Sequence, residues 1–150
     1  MRRASFVIVP LFSVVALNTG PDNYFSCTTF PDYGLHITFV VHYAPISAGS
    51  QQVLLHVSDQ RTYPCANYQI ESATSITGQT IRVSMSGNVI KPDVCMTSTG
   101  PAQYQTALPL VPGTYELEFA RSSATDRYRL TMTPSAIEIT TIASSFTRPL

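Results

Sequence analysis

The chain has 150 residues, enough for one domain that buries roughly two thirds of its unfolded surface without help from metals. Charged residues make up 12% of it, about half the ~25% usual in soluble domains, and nine basic side chains balance nine acidic ones. So neutral a composition offers nothing to attract nucleic acid or an anionic membrane, and its wealth of Thr, Ser, Tyr and Val with 11 prolines is that of strands and turns.

The N-terminus reads as an address. Met1-Arg2-Arg3 is a short cationic segment, and residues 4–17 (ASFVIVPLFSVVAL) form an apolar run of signal-peptide length with Val14 and Ala16 before a cut. That run is shorter than the ~20 apolar residues of a membrane span. Residues 1–17 are therefore expected to be a signal peptide, whose removal leaves seven basic against nine acidic residues. The competing reading is a buried first strand through Phe6-Val7-Ile8-Val9, with Pro10 at an edge or bend. Residues 18–34 follow as a linker or N-terminal extension containing Cys27. A lipidated Cys27 is disfavoured because Tyr24-Phe25-Ser26 makes a poor lipobox; a bridging partner and a plain thiol both stay open.

Residues 35–142 read as an all-β domain, an antiparallel β-sandwich of jelly-roll or immunoglobulin-like type. Leu35, Ile37, Phe39, Val41 and Tyr43 alternate with polar residues, as do Val53, Leu55 and Val57 after a loop through Ser47-Ala48-Gly49-Ser50. Strands are also expected at 67–71, at Ile81-Arg82-Val83-Ser84-Met85 before Gly87-Asn88, and at 137–142. Residues 102–112, framed by Pro101, Pro109 and Pro112, read as a long connection or a short edge strand, and 143–150 as a C-terminal tail. A hairpin is expected in 114–133 around Ser122-Ser123-Ala124-Thr125. Arg121 opposite Asp126 would pair Phe119 with Tyr128, Leu117 with Leu130, Tyr115 with Met132 and, on the wet face, Glu118 with Arg129.

Cys65 and Cys95 each lie beside an expected strand end and are the favoured disulfide, closing a loop of about 30 residues for ~3–4 kcal/mol in the chain-entropy model. Such a bridge agrees with an exported chain, placed in the medium, the periplasm or on the cell surface.

The strand of residues 81–85, the run Leu110-Val111-Pro112-Gly113-Thr114-Tyr115-Glu116-Leu117 and Tyr128-Arg129-Leu130-Thr131 resemble the second half of bacterial pre-peptidase C-terminal domains. That resemblance covers about a third of the chain and implies a sandwich module of an exported protein that binds polymer or protein; immunoglobulin-like modules resemble it nearly as well. The Asp-rich strand connections of that family are absent, so no calcium role is implied.

Chemistry is sparse. A hairpin turning at Gly49 would set His42 opposite His56, with His36 on the same face, and Asp59 or Asp32 as a further metal ligand. Solvated strand histidines are the expectation for His36, His42 and His56, and neither a metal nor another cofactor is expected. No Gly-x-Ser-x-Gly elbow or phosphate loop occurs, and Asp and Glu are scattered singly so that no carboxylate pair is proposed from the sequence; no catalytic residue is assigned. Tyr24, Tyr33, Tyr63, Tyr68 and Tyr104 lie in or near connections, where a ring can serve a sugar or a peptide, although packing is their commoner use. The expected function is a non-enzymatic exported module that binds a protein or polysaccharide, or self-associates as a subunit of a surface assembly. The alternatives are a small metal-dependent or hydrolytic secreted enzyme and a secreted inhibitor.

Overall fold

A computed structural model describes residues 36–47 and 50–150. The expected leader, the linker with Cys27, Tyr24 and Tyr33, and the tip at residues 48–49 lie outside the described residues. Among the described residues, alternation of apolar and polar side chains becomes nine strands: β1 (Ile37–Ser47), β2 (Ser50–Asp59), β3 (Gln69–Thr77), β4 (Thr80–Ile90), β5 (Gln103–Leu108), β6 (Gly113–Arg121), β7 (Ala124–Met132), β8 (Ile137–Ala143) and β9 (Thr147–Pro149). They form one sheet in the order β8-β7-β6-β4-β3-β5-β2-β1-β9.

That sheet corrects the antiparallel sandwich in two respects. It is mixed, because β1 with β9, β4 with β6, and β3 with β5 run parallel. It also curls until its ends nearly meet, so the nearly closed barrel has one interior. Inward residues from opposite ends of the strand order pack there: the Phe39 ring of β1 lies 4.6 Å from Phe119 of β6 and 4.8 Å from Tyr128 of β7. Leu55, Val57, Ile81, Val83, Leu117 and Leu130 complete this core, all fully buried. Each is worth ~1.5–3 kcal/mol relative to exposure.

Closure is fastened by polar groups at the seam. Asp126 occupies an inward position on β7, opposite Phe119, yet both carboxylate oxygens are saturated. Oδ1 accepts from Ser145 N (2.8 Å) and Oγ (2.7 Å), and Oδ2 from Phe146 N (2.9 Å), Thr147 N (2.7 Å) and Thr147 Oγ1 (2.7 Å). Burial opposes ionisation of this carboxyl, but the bonds from Thr147, Ser145 and Phe146 outweigh it and hold it below the usual carboxylate range. Tyr128 Oη donates to Thr147 O at 2.7 Å. Thr147 begins β9, which pairs with β1, so one carboxylate and one phenol link β7 to the far end of the sheet. Residues 143–150 are therefore not a free tail but the strand that brings the ends together.

Strand faces agree with the sequence pattern, whereas registers differ. In the β6–β7 hairpin Arg121 pairs with Ala124, Leu117 with Tyr128 and Tyr115 with Leu130, a slip of two residues from the expected pairing. The turn is only Ser122-Ser123, with Ser122 at φ 49°, where a longer loop was expected. A slip of two keeps every side chain on its own face, so Leu117 and Leu130 stay in the core. Glu118 consequently faces Arg127 rather than Arg129, and its ion pair is to Arg82 of β4 at 3.1 Å. The β3–β4 hairpin was not anticipated. It turns through Gly78-Gln79 with Gly78 at φ 59°, so β3 extends well past residue 71.

Candidate functional site

The end of the barrel where β1 starts and β2 ends is stapled by the Cys65–Cys95 disulfide, with Cα atoms 5.3 Å apart. Beneath it Asp59 accepts from Tyr63 Oη at 2.6 Å and from Ala102 N at 3.1 Å. Burial raises the Asp59 carboxyl above its ordinary value against the lowering pull of these bonds; burial and the neighbouring Asp59 push Tyr63 up to about 12. Tyr63 stacks on Tyr68 with centroids 4.8 Å apart, and both rings are buried. Gly100 fits here because it lies against Ala66, where an added Cβ would come within 3.2 Å of Ala66 Cα and Cβ. These contacts make a rigid base for what stands above it.

Asn67 orders the upper layer. Its Nδ2 donates to Val94 O at 2.8 Å and its Oδ1 accepts from Met96 N at 3.2 Å, gripping the loop on either side of Cys95. The loop so fixed presents Val94 (80% exposed) and Met96 (57%) to solvent, with Ile90 (49%) nearby at the end of β4. Beside it lies a cleft of about 520 Å³ whose polar walls include Asn67, Gln69, Gln103 and Gln105, with Met96 and Ile70 as apolar elements. A second recess of about 370 Å³ opens on the other side of Asn67, beside Ile90, Lys91 and Asp93.

Among the described residues, the walls of the larger cleft carry no carboxylate, amine or imidazole. Gln69 and Gln103 are register partners on β3 and β5, and Gln105 stands two residues along β5. Each primary amide offers two donors and an accepting oxygen, so three on adjacent strands match neutral, hydrogen-bond-rich groups such as peptide amides or sugar hydroxyls. Amides beside exposed aliphatic and thioether groups are the ingredients of a binding surface. They activate no nucleophile and move no proton at neutral pH.

The histidines do not assemble. Register places Val40 opposite His56 and Leu54 opposite His42, two residues from the expected facing pair. His36 precedes β1 and is exposed. His56 Nε2 is buried without a hydrogen-bond partner among the described residues. Asp59, a candidate further ligand, is committed to Tyr63 and Ala102, and Asp32 lies outside the described residues. Among the described residues no three His, Cys, Asp or Glu side chains are grouped to hold a metal ion.

Of the tyrosines expected near connections, Tyr63 and Tyr68 form the buried base and half-buried Tyr104 packs on the core. The cleft was missed because its residues carry little signal: Gln103 and Gln105 sit in a stretch read as connection, and Asn67 appears only as a strand start. Among the described residues no helix is long and apolar enough to cross a membrane. No protein-family model, curated protein or solved structure matches this chain.

Proposed function

We propose that the protein is a non-enzymatic, exported binding module that engages a neutral protein or polysaccharide segment through the cleft at its disulfide-stapled end. One observation carries this reading: uncharged amides of Gln69, Gln103 and Gln105 converge beside the exposed Val94 and Met96, on a loop held by a disulfide and two Asn67 bonds. Preorganised contact groups lose little freedom on binding, so more of their interaction energy appears as affinity. The cationic start and apolar run of residues 1–17 support export, and a disulfide is at home in an oxidising compartment.

The test is a pull-down against insoluble neutral polysaccharides together with a peptide array, using the unmodified protein, Gln103→Ala with Gln105→Ala, and Met96→Asp. Retention should appear for one class and fall in both variants. A panel with no binder, or a binder indifferent to both variants, would refute the assignment.

A further inference from the structure

The two ends of the sheet are finished differently. β1 is covered by β9 along Ile37–Phe39, Leu150 N donates to Phe39 O, Tyr43 Oη donates to Thr133 O further along, and Pro45 blunts what remains of that edge. At the other end, β8 pairs only with β7 among the described residues. The seam is closed by β7 rather than β8, because Asp126 and Tyr128 reach Thr147 of β9. β8 thus lies beyond the seam. Ile137 and Ile139 are half-buried, while Glu138 and residues 140–143 are exposed. The seven residues of β8 include neither Pro nor Gly, are mostly β-branched and carry one charge. An exposed edge of that kind is a template for another strand.

The ladder fixes which backbone groups are open. Thr133 N donates to Ala136 O, so the hydrogen-bonded pairs of this hairpin are Thr133 with Ala136, Thr131 with Glu138 and Arg129 with Thr140. The N–H and C=O groups of Ile137, Ile139 and Thr141 therefore point away from β7, at the open edge.

We infer that this edge receives the same edge of a second copy of the chain, as an antiparallel β8–β8 pair whose two-fold axis passes through Ile139. That register sets Ile137 opposite Thr141 of the second copy and Ile139 opposite its own counterpart, so all the open groups of these three residues find partners. It also stops short of the bulge at Ile142, where the ladder with β7 shifts between Arg127 and Tyr128. An axis through Thr140 would instead set Ile137 opposite Ala143, past the bulge.

Charge selects the same register. Arg129 lies on the outer face beside Thr140, and Glu116 on its other side is engaged by Arg127 at 3.8 Å. Neither Arg129 nor Glu138 is in an ion pair among the described residues. In the pair, Glu138 of the second copy falls opposite Thr140, in line with Arg129 two strand spacings of ~4.8 Å away. Two long side chains meet over a short Thr, and symmetry makes the contact twice. Such a contact closes at two copies, whereas β8 on the β1 edge of another copy would propagate and finds that edge already covered. The amide cleft is not involved, since β8 stands four places from β3 in the strand order.

Amide exchange read residue by residue by NMR, with sedimentation of the same full-length samples up to about 1 mM, tests the pairing. Two short edges make an interface of the transient class, below about 1,200 Å², so the dimer should form towards the upper end of that range. As it forms, the Ile137, Ile139 and Thr141 amides should slow by about fivefold or more, while those of Glu138 and Thr140, already bonded to β7, change little. Glu138→Arg sets like charges together in both contacts and should weaken association about tenfold or more; combining it with Arg129→Glu should restore it. Slow exchange at Tyr128 and Leu130 on β7 reports that each variant is folded. A monomer throughout the range, growth past two copies, a dimer in which Ile137, Ile139 and Thr141 still exchange freely, or one indifferent to the charge variants would each overturn the pairing.

Discussion

Replacing Asp126 by Asn is the sharpest perturbation of the closure, because it alters one atom and no volume. The carboxylate accepts five bonds: three from the successive amides of Ser145, Phe146 and Thr147, and two from the Ser145 and Thr147 hydroxyls. An Asn amide keeps one accepting oxygen and aims an N–H pair at donors that had been satisfied. Hydrogen bonds to a charged group contribute ~1.5–3 kcal/mol each, and a buried donor left unpaired costs ~1–3 kcal/mol. Thr147 is buried whereas Ser145 is exposed and can turn to water, so losing the Oδ2 side should dominate, at about 2–4 kcal/mol.

The same carboxyl sets an acid limit. Its folded value lies below the unfolded one, so its contribution is fully present above the unfolded value of ~3.9 and is lost as pH falls through the folded value. Asp59 has the opposite sign: its folded value is raised, so its contribution is present below the unfolded value and lost as pH rises through the folded one. Urea unfolding followed by circular dichroism at pH 7 and pH 3 reads both. Asp126→Asn should lower stability at pH 7 and narrow the difference between the two pH values. A variant within about 0.5 kcal/mol of the parent at pH 7 would refute the seam as a source of stability.

Leu130→Ala should cost about 2–4 kcal/mol in the same assay, while Arg82→Ala, which breaks an exposed pair with Glu118, should cost under about 1 kcal/mol; equal effects would invert the inner and outer faces. Reduction of Cys65–Cys95 should destabilise by about 3–4 kcal/mol, measured by urea unfolding with and without reductant. Zinc or a chelator should leave the melting temperature unchanged, since His42 and His56 are not opposed and His36 lies beyond β1; a zinc shift abolished by His42→Ala would contradict that register.

Much of the fold was legible because side-chain direction has a period of two. Leu117, Phe119, Tyr128 and Leu130 declare the inner face of β6 and β7 whatever the register. Register itself depends on turn length. A two-residue turn with Ser122 in the left-handed region gives no glycine signal, so the pairing was misplaced by two, and the His42–His56 pairing failed by the same amount. β5 was ambiguous because Gln-Tyr-Gln-Thr-Ala-Leu is polar and bracketed by prolines, although it lies between β2 and β3. β9 has only three residues, and its place is set by Asp126 across the barrel rather than by its own pattern. Parallel neighbours such as β4 and β6 leave no local trace at all. The cysteine pairing was readable because two strand ends bracketed it, whereas a cleft built of neutral amides from separated segments was not.

Binding at the amide cleft is tested by mapping a bound ligand by NMR on the labelled protein. Titration with a soluble fragment of whichever neutral polysaccharide or peptide is retained should shift the signals of Asn67, Gln69, Met96, Gln103 and Gln105, and leave those of Glu138 and Thr140 on β8 in place. Shifts centred on β8 or spread evenly over the surface would contradict the assignment of this end of the barrel as the binding surface.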